Sequence, residues 1–137
     1  MDTNFKLRRG YNATRPLEFL GFFTLKIQSE GHAVYIFLAL DAYSGYLFNL
    51  GWEMDQDDET VLKKIYFLLE DPVFLEYNTE GFTLVMEDHD ELAVPIAHIV
   101  GLSKGNVMFN RAYNAFLFQP LFESITQYLK SQNKRLT

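Results

Sequence analysis

Apolar residues along this chain fall into runs separated by polar breaks, and the longest run says most. From His32 to Trp52 the sequence reads HAVYIFLALDAYSGYLFNLGW, apolar at almost every position and interrupted chiefly by DAYSG. A membrane-spanning helix needs about 20 apolar residues without a charge or a turn signal. Here Asp41, Ser44 and Gly45 sit at the centre. Val, Tyr, Ile and Phe favour strands. Asp followed by Gly is turn chemistry, because the carboxylate accepts from nearby backbone N–H groups and Gly tolerates positive φ. The run predicts two antiparallel strands joined by a tight turn, both covered on both faces. Trp52, at the end of the second of these strands, is expected in the core.

The same reading extends along the chain. FLGFFTLKIQ (Phe19–Gln28) predicts a preceding strand, and SEGH the turn after it. MDQDDET is a polar break in which Asp57 and Asp58 are helix N-cap candidates. From Thr60 to Glu70 the apolar residues Val61, Leu62, Ile65, Tyr66, Leu68 and Leu69 have helical spacing. Asp71–Pro72 ends that helix. GFTLVM (Gly81–Met86) predicts a strand running into EDHDE (Glu87–Glu91). LAVPIAHIV is read as a short helix or turn because of Pro95. GNVMFN (Gly105–Asn110) is a short strand. A last helix follows Pro120, with Leu121, Phe122, Ile125, Tyr128 and Leu129 as its apolar stripe. Three leading strands with short turns form an antiparallel meander, and the strand after the helix returns most simply in parallel. The expected architecture is α/β, a mixed five-stranded sheet with helices on its faces.

Composition narrows the function classes. The 137 residues suit a single domain, placed at 16–137 behind a basic arm at 1–15 that holds Lys6, Arg8, Arg9 and Arg15. There is no cysteine, so disulfides, thiolate metal sites and a cysteine nucleophile are excluded. The net charge of −6 argues against a broad basic surface for nucleic acid. MDTNFKLRRG has no apolar core of a signal peptide, so a cytoplasmic protein without membrane association is the expectation. His32 and His98 are expected in a turn or partly buried.

The element order is that of RNase H-like domains, and three stretches resemble the catalytic core of the retroviral integrase and transposase family. ATRPLEFLGFFTLKI (Ala13–Ile27) resembles the segment that leads into the family's first strand. VYIFLALDAYSGYLF (Val34–Phe48) resembles its second and third strands, and FESITQYLKS (Phe122–Ser131) its last core helix. The resemblance implies a polynucleotidyl transferase whose three carboxylates hold two divalent ions, Mg2+ or Mn2+, at a phosphodiester. It implies Glu123 as the third acid and Asp88, or alternatively Glu87, as the second. It makes Asp41 a structural residue of the turn. Between Glu87 and Glu123 lie 35 residues, the family's approximate spacing.

The first acid has no counterpart. Pro16 and Glu18 align the expected aspartate with Phe23, or with Phe22 if Thr24 guides the alignment, and no residue from Phe19 to Leu25 is acidic. A phenyl ring cannot ligate a metal, so one of the two rings is expected on the central strand where the first carboxylate would project toward Asp88 and Glu123. The resemblance thus implies a mobile-element domain with impaired catalysis, no bound cofactor, possible DNA contact and a possible homodimer. Two alternatives stay open. One is an active Mg2+- or Mn2+-dependent strand transferase or nuclease using a rearranged set drawn from Asp41, Glu87, Asp88 and Glu123. The other is an unrelated α/β interaction or structural domain, for which the aromatic content of 16% would supply partner surface. Plainer readings are a solvated strand end for EDHDE and an exposed helix residue for Glu123.

Overall fold

The computed structural model describes residues 13–87, 91–110 and 127. Five strands form one sheet: β1 (Phe19–Ser29), β2 (His32–Asp41), β3 (Leu47–Glu53), β4 (Phe82–Met86) and β5 (Gly105–Phe109). Their spatial order is β3-β2-β1-β4-β5. β1–β2 and β2–β3 pair antiparallel, while β1–β4 and β4–β5 pair parallel. This is the mixed sheet the sequence predicts, with the RNase H-like order and β1 at its centre.

Helices α1 (Asp58–Leu69) and α2 (Pro72–Tyr77) connect β3 to β4, and α3 (Ala93–Leu102) connects β4 to β5. β3, β4 and β5 are parallel, and both crossovers advance the same way across the sheet. Right-handed connections therefore lay these helices on one face. That face carries the larger core, in which Leu20, Phe22, Phe37, Leu84 and Met86 meet Ile65 and Leu68 of α1, Phe74 of α2 and Ile96 of α3. Alternation along the strands sends Phe23, Leu25, Leu38 and Leu40 to the opposite face, where with Ala42 they form a second cluster.

Local chemistry explains the boundaries. The Asp57 side chain caps α1 by accepting from the Thr60 N–H at 2.9 Å. Asp71 ends the reach of α1 and also starts α2, accepting from the N–H groups of Val73 and Phe74 while Pro72 fills the first turn. The pattern gave a helix stop at Asp71–Pro72 and missed that the same dipeptide opens a six-residue helix. Pro95 lies in the first turn of α3, where its missing N–H leaves no bond unmade.

Three expectations are corrected. β3 is an edge strand, so it alternates between buried Phe48 and Leu50 and exposed Asn49 rather than being covered on both faces. Trp52 is 61% exposed, not core. Its partner Ile36 lies on the side away from the described helices, beyond a bulge that shifts the β2–β3 register. His98 is exposed on α3, and His32 is exposed at the start of β2. The predicted helix after Pro120 lies almost wholly outside the described residues, as does the arm at 1–12; Gln127 is helical and exposed.

Candidate functional site

The DAYSG turn is built around one carboxylate. Asp41 closes β2 at 2% exposure, too deep for an acid without partners. Its Oδ1 accepts from the Leu17 N–H at 2.9 Å and the Tyr43 N–H at 3.4 Å. Its Oδ2 accepts from the Ser44 N–H at 3.0 Å and the Ser44 hydroxyl at 2.6 Å. Gly45, at φ 79°, completes the turn by donating its N–H to the Asp41 carbonyl at 2.8 Å. The Leu17 contact crosses from the leading segment and holds that buried residue at φ 65°, a left-handed conformation costing a β-carbon-bearing residue about 1–2 kcal/mol. Asp41 thus serves the turn, with both carboxylate oxygens engaged by neighbouring donors.

The leading segment is tied down beside it. Glu18 accepts from the Thr14 N–H at 2.6 Å and the Thr14 hydroxyl at 3.0 Å, and the backbone bond holds its carboxyl below the usual range. Arg15 donates to the Gly81 carbonyl at 2.9 Å, fastening the segment to the loop before β4. Thr14 and Arg15, expected to belong to a basic arm, are hydrogen-bonded to the domain, and Ala13 packs against the second cluster.

Phe22 and Phe23 both lie on the central strand, opposite Ala39 and Leu38 of β2. Both are buried, at 3% and 4%. Their rings go to opposite faces: Phe22 enters the helix-covered core, and Phe23 the second cluster. In β4, Leu84 and Met86 share the first core with Phe22, so alternation directs position 87 toward the face of Phe23. The β1–β4 register pairs Leu20 with Leu84 and Gly21 with Val85. Extended two residues, it sets Glu87 abreast of Phe23. Glu87 is exposed at the strand end. Alternation and register thus put Phe23, rather than Phe22, on the side toward which position 87 points, with Glu87 the described acid nearest to it in register. Asp88 and Glu123 lie outside the described residues.

Among the described residues no three His, Asp or Glu side chains come together as a metal site. At the register position beside Glu87 the chain presents a buried phenyl ring, which offers no lone pair and excludes water.

An acid–base pair that sequence reading did not single out joins β3 to α1. Lys64 is buried, with Nζ 2.8 Å from Glu53 Oε2 and 5.0 Å from the centroid of the Phe67 ring. The hydrogen bond from Lys64 holds the Glu53 carboxyl below its usual range, with the charges of Lys64 and Lys63 adding to the effect. Gly51, at φ 90°, admits this ammonium, because a β-carbon there would stand 3.3 Å from Nζ. A lysine at a core-facing position of α1 was the available sequence signal.

The chain thus folds as an α/β domain with a mixed five-stranded sheet and helices packed against one face. A solved structure to which the chain is similar is the simian T-cell lymphotropic virus intasome in complex with the PP2A regulatory subunit B56 gamma. The TM-score is 0.70 at 7% identity, over 98% of this chain and 48% of that one. The likeness is one of fold, and this chain spans about half the length of its counterpart. No family profile matches the sequence, and no curated protein matches it.

Proposed function

We propose that this chain is an integrase-core-like domain of a mobile element that has lost phosphoryl-transfer competence and persists as an interaction module. The reading rests on the buried Phe23 ring, which the β1–β4 register would set level with Glu87 if extended two residues, at the place where the resemblance calls for the first metal-binding carboxylate. The likeness in fold to an intasome component supports the integrase lineage. Two ions at a phosphodiester need an acid on each of the converging elements. Glu87 would stand beside a phenyl ring instead of a ligand. A retained role in contact with DNA or with a second copy of the chain is compatible with that loss, since neither needs the metal.

An interaction role draws on a further observation. Met54, beside the edge strand β3, and Tyr66 and Phe67 of α1 are each 46–56% exposed. Large apolar side chains left in water on neighbouring elements mark partner surfaces. The deciding experiment is a nicking and strand-transfer assay on linear duplex DNA with Mg2+ or Mn2+ at neutral pH. The purified domain should be inactive with either ion. Metal-dependent cleavage that disappears in Glu87→Gln or Glu123→Gln would establish the active-enzyme alternative.

A further inference from the structure

We propose that a bulge at Leu50–Gly51, fixed by the Asn49 side chain, closes the outer edge of β3 to strand pairing and so keeps a second copy of the chain from extending the sheet. β3 lies at one end of the strand order. An open edge offers a row of main-chain donors and acceptors to any extended chain, and proteins blunt such rows with lysine, proline or a bulge. Leu47–Glu53 holds neither lysine nor proline.

The pairing with β2 shows how the row is broken. The Asp41 N–H donates to the Tyr46 carbonyl, and the Asp41 carbonyl accepts from the Gly45 N–H, so the main-chain groups of Asp41 turn toward β3. Alternation along β2 turns those of Ala39, Phe37 and Tyr35 the same way. Phe48 and Glu53, opposite Ala39 and Tyr35, therefore bond inward. Leu47, Asn49 and Trp52, opposite Leu40, Leu38 and Ile36, turn outward. Between Asn49 and Trp52 the register slips, because Phe37 alone stands opposite Leu50 and Gly51. The outward row thus falls at positions 47, 49 and 52. An incoming strand keeps a two-residue repeat, in which the place after Asn49 belongs to Gly51. There the N–H is already taken, donating to Asn49 Oδ1 at 2.9 Å.

The sequence builds the bulge in. Gly51 sits at φ 90°, where a residue with a β-carbon is strained, and such a carbon would stand 3.3 Å from Lys64 Nζ. Past the bulge the faces of the strand exchange. Phe48 and Leu50 lie in the helix-side core, and regular alternation would send Trp52 after them. Instead Glu53 reaches Lys64 of α1 at 2.8 Å, and Trp52 stays 61% exposed. The Lys64–Glu53 pair holds the bulge from one end and Asn49 from the other. Asn49 is exposed, so a change there leaves the core intact.

The test compares the unmodified chain with Asn49→Val and Asn49→Thr by sedimentation velocity over a concentration series. Both new side chains are β-branched, but only threonine keeps an oxygen that can accept from a nearby backbone N–H. Asn49→Val should self-associate at least tenfold more tightly than Asn49→Thr or the unmodified chain. Hydrogen exchange locates the contact. The outward amides of Leu47, Asn49 and Trp52 should exchange freely in the unmodified chain at every concentration, and the amides at 47, 49 and 52 should become protected in associated Asn49→Val. Equal association of all three proteins, with unchanged melting, would overturn the proposal. So would concentration-dependent protection of those amides in the unmodified chain, a result that needs no variant to fold. Neither readout involves metal or DNA, so the proposal stands or falls separately from the loss of catalysis.

Discussion

Two positions on adjacent strands, both at the heart of the sheet, have gone opposite ways. At the end of β2 a buried carboxylate is present, and four donors converge on it. On β1, facing away from the described helices, a buried phenyl ring stands where the family resemblance expects a carboxylate. Asp41 satisfies backbone groups that burial would otherwise leave unpaired, so folding itself requires it. A metal-binding acid has no such duty to the fold. It is a desolvated charge that only a cation stabilises, and an apolar ring in its place adds core. The contrast separates the acid the fold needs from the acid only the chemistry needs.

The largest effect is expected at the retained acid. Asp41→Ala strands the Leu17 N–H in the interior and releases the Ser44 turn, and should destabilise the domain by about 3–5 kcal/mol, read by urea denaturation. A loss below about 1 kcal/mol would show that the corner does not depend on the carboxylate.

The Lys64–Glu53 pair sharpens the distinction between a charge that is needed and one that is tolerated. Lys64→Met keeps the apolar stem among its neighbours and should change stability by no more than about 1 kcal/mol, because an apolar isostere often replaces a buried ion pair without loss. Glu53→Gln, which leaves the buried ammonium without its counter-charge, should lower the melting temperature more than Lys64→Met does. The reverse order would mean that the lysine, not the pairing, carries the contact.

The smallest effect is in the acid limb of the stability curve. Glu53 and Glu18 both titrate below their ordinary value of 4.5 in the folded chain. Each therefore binds fewer protons folded than unfolded, so its contribution is fully present above pH 4.5 and is lost as pH falls through the lowered folded value. Stability should decline below pH 4.5, and Glu53→Gln should make that decline shallower in thermal melts collected across the range.

Much of the fold was legible because it rests on local chemistry. Periodicity placed five strands and α1, and the short turns ordered the first three strands. The Asp–Gly signal located the Asp41 turn, although the crossing bond to Leu17 is a tertiary contact no local pattern contains. α2 escaped because six residues are too few to display a helical period. Trp52 was misplaced because an edge strand beyond a bulge leaves a large ring in water, and neither edge position nor bulge can be read from composition. The candidate site was legible only as an alternative between Phe22 and Phe23. Alternation guarantees that adjacent residues face opposite ways, but only strand register and core membership say which goes where. The Lys64–Glu53 pair went unread because Gly51 and Glu53 reach Lys64 only through the packing of β3 against α1.

If Phe23 closes a metal site, metal binding measured directly shows it most sharply. Isothermal titration of the unmodified domain with Mg2+ and Mn2+ should show no stoichiometric uptake at millimolar concentration. Phe23→Asp should fold with reduced stability and gain a melting-temperature increase with Mn2+; binding at ten times Kd is worth about 1.4 kcal/mol. Phe22→Asp, which places the same charge under the helices, should be strongly destabilised and gain no response to the ion. Stoichiometric Mn2+ uptake by the unmodified chain, or a metal response in Phe22→Asp and none in Phe23→Asp, would contradict the account.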